Sequence, residues 1–581
     1  MRPCTRFSLA VTCVVLVLAL TACAGGATPA PAQPTSSSAP AAQPTTFAVA
    51  AQPSAASTES TAPANTSEPT TAAAPAGPVT SGGKLVFGMS NEPETLDPLV
   101  GSSYEGAAID GAVFDTLVRE TPDGKFHPGL ATKWEISPDG LTYTFHLRQG
   151  VKFHDGTPFN AAAVKFTFDR IVDPATKSEQ AIALVGTYTS TEVVDDYTAK
   201  IHLSAPYAPF LSGIAQPNVS IVSPTAVKQY GDTFTDHLVG TGPFIFKEWV
   251  RADHVTLVRN PDYNWASDYF THQGPAYLDE IDFKFIPEAT VRSGTLQTGE
   301  TNMINDVAPE DFGQLASDPN YKTYNIIQPG TPLAIAMNVT KPPLDDLKVR
   351  QALEYGIDKK AIVDTLFAGQ YELAYSPLAP NTLGYWSGSE QMYPYDPAKA
   401  KSLLDEAGWK VGPDGMRSKD GQPLKLEWPT FTWQNMDKMA QIVQAQLKDL
   451  GIDLTIDVGA FPAMYAKANK CEHNLVHTGN TDVDPNALDI VYDSSDVGNG
   501  WAWTCIKDAQ IDQWLAQGRE ITDPTARVPI YQKLQQRILD LALVVPIRQF
   551  DNLIATRAEV KGLSFEPVGF AEEFYDVHIE K

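Results

Sequence analysis

Positive charge is scarce in this chain: 43 Lys and Arg stand against 69 Asp and Glu in 581 residues, a formal net charge of -26. Tracking a phosphate backbone needs clustered Lys and Arg, so nucleic acid is a poor partner. Catalytic signatures are missing too. No G-x-S-x-G elbow, H-E-x-x-H pair or G-x-x-x-x-G-K-[ST] phosphate loop occurs, so any ATP is used by another subunit. Long apolar runs are missing as well: the stretch from Ser8 to Leu20 falls short of the roughly 20 residues that a spanning helix needs. Cysteine is rare, with five in the whole chain.

What is present begins with an address. Arg2 and Arg6 precede the apolar run, which ends in "LTAC", Leu20 to Cys23, followed by Ala24, Gly25 and Gly26. This resembles the lipobox of bacterial lipoprotein signal peptides, which implies lipidation of Cys23 and a mature chain tethered outside the cytoplasmic membrane. Cys4 and Cys13 then leave with the signal, residues 1–22. Cys471 and Cys505 remain, and two spare cysteines in an exported chain suggest one disulfide. From Ala24 to Gly83 the chain is almost wholly Ala, Pro, Ser, Thr and Gly. It holds too little apolar surface to offset ordering entropy and reads as an extended tether.

Folded structure is expected from "KLVFGMS", where Leu85, Val86 and Phe87 form a strand-like run. In "LTYTFHLRQ", Leu141, Tyr143, Phe145 and Leu147 share one face of a half-buried strand. "YDPAKAKSLLDEAGW" marks a helix at both ends, with Asp396 as cap, Pro397 at the first position and Gly408 past the last. "KMAQIVQAQLKDLGIDLTI" passes from helical to alternating spacing at Gly451, a helix followed by a strand, as in an α/β lobe with a partly parallel sheet. "GVKFHDGTPF", residues 150 to 159, sets His154 beside Asp155, but in a turn that joins a strand to a helix capped by Asn160 or Thr157. By strand parity, His154 is expected to face solvent rather than to serve a catalytic dyad.

"DGLTYTFHLRQGVKFHDGTPFNAAAVKFTFDRI" resembles the hallmark segment of bacterial solute-binding proteins of family 5, which serve peptide and nickel ABC importers. "EPETLDP", "GTGPFIFKEW", "VTLVRNPDY" and "DDLKVRQALEYGIDKKAIV" match in the same order. The resemblance covers essentially everything after Gly83. It implies a two-lobed α/β fold of the periplasmic-binding-protein type II, with an extra subdomain in the first lobe. Lobe I would take residues 84–112, 238–330 and 536–581, the subdomain 113–237, and lobe II 331–535, with two strands as hinge. Such proteins close over a ligand and present it to a permease, without bond chemistry or cofactor.

Peptide-binding members carry a D-x-x-D-P-like or D-x-D-P-like loop whose first aspartate pairs with the ligand's α-amino group. Here Asp482 precedes Asp484 and Pro485 with irregular spacing, so Thr481 could hold the contact position instead. Trp433, Trp501 and Trp503 could line the cleft as large amphipathic surfaces, and Ser102, Ser103 and Tyr104 follow "LDP" where relatives place ligand contacts. Two rival constellations exist. Cys471, His473 and His477 have ligand-like spacing for zinc in an exported metallohydrolase, and on a helix the two histidines would meet, but the resemblance implies a strand here, on which at about 3.3 Å per residue the two imidazoles stand roughly 13 Å apart. Asp482, Asp484, Asn486 and Asp493 fall at EF-hand positions, yet Pro485 and Ala487 replace the flexible link and turn glycine. The expectation is a monomeric, lipid-anchored receptor that captures peptides, or else nickel complexes or another small solute, and works with ABC permease and ATPase subunits.

Overall fold

The computed structural model describes residues 81–567 and 572–580; the signal, Cys23 and the tether through residue 80 lie outside the described residues. An early strand and a late strand of the described chain meet in one seven-stranded sheet, in the order Tyr321–Ile327, Asp551–Arg557, Met303–Ile304, Lys84–Met89, Glu280–Phe285, His254–Arg259, Phe244–Val250. Lys84–Met89 runs parallel to both of its neighbours, and Leu85, Phe87 and Met89 are fully buried, as an apolar run in a central strand should be.

Beside this sheet stands a four-stranded antiparallel one, Ala131–Ile136, Thr142–Leu147, Thr198–Leu203 and Tyr188–Asp195. Tyr143, Phe145 and Leu147 alternate into its core, where they meet Val164, Phe168 and Ile171 of helix Ala161–Val172. Asn160 caps that helix, accepting from the Ala163 N–H at 3.1 Å. The expectation for His154 is corrected. The loop at Gly240 to Gly242 folds over the turn, and His154 bonds to it twice, backbone N–H to the Gly240 carbonyl (2.9 Å) and Nε2 to the Gly242 carbonyl (3.0 Å). A tertiary contact thus covers the face that strand parity leaves outward.

The other lobe centres on Gly330–Met337, flanked by Leu475–Thr481 and Val544–Arg548. Its side chains alternate between two cores: Leu333, Ile335 and Met337 enter one, Ala334 and Ala336 the other. A parallel pair, Lys425–Thr430 and Asp453–Val458, joined through helix Met436–Asp449, completes the mixed α/β architecture. Val544–Arg548 pairs with this lobe, and the chain re-enters the first sheet at Asp551–Arg557. Two adjacent segments therefore cross between the sheets, Gln328 to Pro329 and Gln549 to Phe550, and the Gln328 N–H bonds the Phe550 carbonyl at 2.8 Å. Among the described residues no helix is long and apolar enough to cross a membrane.

Candidate functional site

The end of strand Leu475–Thr481 brings an acidic turn to the crossing, where the Asp482 N–H donates to the Pro329 carbonyl at 3.1 Å. The two aspartates of this turn have different fates. Asp484 is buried and takes both terminal nitrogens of Arg527, each at 2.6 Å, while Arg527 Nε holds the Gly518 carbonyl. Asp482 accepts from the Asp484 N–H at 3.0 Å, and among the described residues it forms no ion pair with a lysine or arginine. Burial, then the charge of Asp484, pushes its carboxyl up to about 7.

Facing this turn from the first lobe is Glu120, in strand Val118–Glu120. Its Oε2 is buried without a protein partner, and burial followed by the charges of Asp484 and Asp482 raises it to about 8. A cavity of about 460 Å³ lies here, lined from one side by Glu120 and Ser212 and from the other by Pro329, Asp484, Pro485 and Arg527. Behind Glu120, Arg119 bridges Asp115 and Glu566 at 3.2 Å each, and Tyr104 and Tyr269 bond Glu572 and Glu573. Glu566 and Glu572 are each raised to about 8, burial being the first cause. Near neutral pH these buried carboxyls are largely protonated, and a cationic guest gains from the wall by drawing one of them into its ionised form.

A second cavity, of about 290 Å³, opens in the other lobe and gathers all three tryptophans anticipated from the sequence, Trp433, Trp501 and Trp503, with Phe431, Phe461 and His477. Trp501 and Trp503 stack at 4.7 Å, and Trp503 Nε1 donates to Asn469 Oδ1 at 2.8 Å. Trp433 stands at the rim, 47% exposed. The turn behind it carries left-handed backbone at Gln434 (φ 43°) and Asn435 (φ 61°), held by Arg548, whose guanidinium donates to Gln434 Oε1 at 2.7 Å. Gly479 keeps the wall thin, since a Cβ there would come 2.7 Å from the Phe550 ring.

The remaining candidates are engaged elsewhere. Ser102 is exposed, and its N–H donates to Glu94; Ser103 caps helix Tyr104–Val113; the Tyr104 hydroxyl bonds Glu572; none of the three lines either cavity. Thr481 pairs with Gly330 in the ladder. The zinc reading is overturned: Cys471 and Cys505 are joined in a disulfide with Cα atoms 6.1 Å apart, and His473 Nε2 bonds the Trp503 carbonyl at 2.8 Å. The calcium reading falls as well, because Arg527 occupies the Asp484 carboxylate, and no metal-holding cluster occurs among the described residues. Sequence reasoning missed Glu120, Arg527 and Phe461. A lone Glu in "VRE" and an Arg in a helix carry no motif, and only the packing of distant segments gives them a place here.

The family described as bacterial extracellular solute-binding proteins, family 5 Middle, matches residues 125–500. The glutathione-binding protein GsiB of Salmonella typhi is 32% identical over 466 residues, 78% of this chain and 86% of that protein. Among solved structures, NikA from Brucella suis in complex with Fe(III)-EDTA superposes with a TM-score of 0.75 at 28% identity, covering 86% of this chain and all of that one. DppA from Helicobacter pylori in complex with the peptide STSA gives 0.69 at 27%, covering 86% and 99%.

Proposed function

The chain belongs to the bacterial extracellular solute-binding proteins of family 5, transport proteins rather than enzymes that serve ABC permeases and ATPases, and from that premise we propose that it captures peptides between its lobes, with the ligand's amino group on Asp482. The observation that carries this reading is the contrast within one turn. Asp484 already has its arginine, whereas Asp482, two residues away and partly buried, forms no ion pair with a lysine or arginine among the described residues. An α-ammonium supplies the missing charge. Glu120 lines the cavity together with Val483 and Asp484 of the same turn, and a nearby ammonium would favour ionisation of its raised carboxyl. The paired crossings at Gln328 and Phe550 suit a hinge about which the lobes close. Lipidation at Cys23 would hold the receptor at the membrane through its tether, and Cys23→Ser should move it out of the membrane fraction.

Calorimetric titration with a pool of di- to pentapeptides and with glutathione tests the ligand. Truncating one partner of a desolvated charge pair typically costs about 2 to 5 kcal/mol, so Asp482→Asn should weaken free-amine peptides by roughly thirtyfold or more and N-acetylated ones little. Equal affinity in wild type and variant would move the amine contact to Thr481 or Glu120. If no peptide binds while another solute does, the receptor reading survives and the peptide reading falls.

A further inference from the structure

His477 is a buried imidazole in an aromatic room, and the acidic end of the cleft makes no use of it. It is 3% exposed, and neither ring nitrogen has a protein hydrogen-bond partner. Its ring lies 5.2 Å from that of Phe431 and 6.4 Å from that of Trp428. Burial alone pushes it down to about 3, so it is the neutral imidazole, with one nitrogen to donate and one to accept. Buried polar atoms are rarely left without partners, and since His477 is among the residues lining the cavity, a turn of its ring would present a nitrogen to an occupant.

The room is sized for a ring. A cavity of about 150 Å³ lined by aliphatic and aromatic side chains takes up benzene, and this one, at about 290 Å³, has space for a substituted or fused ring. Its floor is buried at Leu333, Met436, Met464 and Trp503, while Trp433 and Phe461, 47% and 38% exposed, form an open rim through which a side group can enter. Aromatic walls favour an aromatic guest by offset and edge-to-face contacts. We propose that this cavity is a specificity subsite for one aromatic side group bearing an O–H or N–H, of phenol or indole type, with His477 as its hydrogen-bond partner. The inference rests on the receptor reading above and narrows its substrate class: the preferred solute carries an ammonium for Asp482 and such a ring for this pocket.

Free p-cresol, indole and toluene probe the pocket without needing the amine site. In protein labelled with ¹⁵N-histidine, p-cresol and indole should shift the His477 ring resonances, and toluene should bind about tenfold more weakly than p-cresol. His477→Leu should abolish that preference while still taking toluene, and Trp433→Ala, at the exposed rim, should weaken all three probes together. The subsite is overturned if no probe perturbs wild-type His477, if p-cresol and toluene bind alike, or if the preference persists in His477→Leu. Should it fail while Asp482→Asn still abolishes peptide binding, only the aromatic pocket is lost. Should the probes behave as expected while no peptide binds, the pocket stands and the peptide reading falls.

Discussion

Asp482 and Asp484 are separated by one residue and differ in what they can tolerate losing. The Asp484–Arg527 pair is buried on both sides, and Arg527 also donates to the Tyr531 hydroxyl and the Gly518 carbonyl. Removing one partner strands a buried charge, so Arg527→Ala or Asp484→Ala should destabilise the protein by about 3 to 5 kcal/mol in urea or thermal unfolding. Asp482→Asn should act in the opposite sense. It removes a carboxylate whose ionised form the fold disfavours, and at pH 8 it should raise ligand-free stability by roughly 1 to 3 kcal/mol. A variant that stabilises the apo protein while weakening its ligand marks a site where stability was given up for binding. If Asp482→Asn instead lowers apo stability at pH 8, Asp482 is a structural residue.

At the scale of elements, the wall of the aromatic pocket depends on one covalent link. Helix Phe461–Asn469 carries Phe461 and Met464, and Cys471 lies just beyond its end; Cys505 follows the segment that bears Trp501 and Trp503. The disulfide thus ties together two pieces of wall that are 34 residues apart in sequence. Closing a loop of that length in the unfolded chain contributes about 3 to 4 kcal/mol by the loop-entropy estimate. The double variant Cys471→Ser/Cys505→Ser should lose stability of that order and bind p-cresol more weakly but still measurably, since the irregular Trp501 segment keeps the His473 bond to the Trp503 carbonyl and the Arg537–Asp508 pair. Unchanged melting and unchanged p-cresol binding would show that packing alone holds the wall.

Over the whole molecule, buried carboxyls set the response to pH. Glu120, Glu566 and Glu572 are raised to about 8, and Asp482 and Asp551 to about 7, with burial the first cause for each. Unfolded carboxyls titrate near pH 4, so between about pH 6.5 and 8 the folded state holds protons that the unfolded state has already lost. Stability therefore falls as pH rises through this window. His473 and His477, lowered to about 4 and about 3, act the other way, but only below about 6.5, where the unfolded imidazole becomes charged. Ligand-free protein should melt roughly 5 °C or more lower at pH 8.5 than at pH 6.5. A bound ammonium should shrink that difference, because it compensates the charges of Asp482 and Glu120. A flat profile across this range would mean that the inner wall is hydrated and its carboxyls titrate normally.

Local pattern was enough for much of the fold. Alternation in "LTYTFHLRQ" placed Tyr143 and Phe145 inward, Asp396 announced one helix start and Asn160 or Thr157 another, of which the fold uses Asn160, and several long motifs in fixed order carried the two-lobed architecture, because each depends on residues within a few positions of one another. Three tryptophans were legible as candidates for a binding surface, since large amphipathic rings suggest contact wherever they occur. Their convergence on one pocket around His477 was decided by two strands, two helices and a disulfide-bound loop meeting in space. The same holds for Asp482. The sequence shows three acidic groups near Pro485, but which carboxylate remains unpaired depends on Arg527, 43 residues away from Asp484, and on Glu120 in the other lobe. Periodicity and capping are short-range and can be read along the chain, whereas charge pairing, burial and cavity shape arise between distant segments and exist only once the chain has folded.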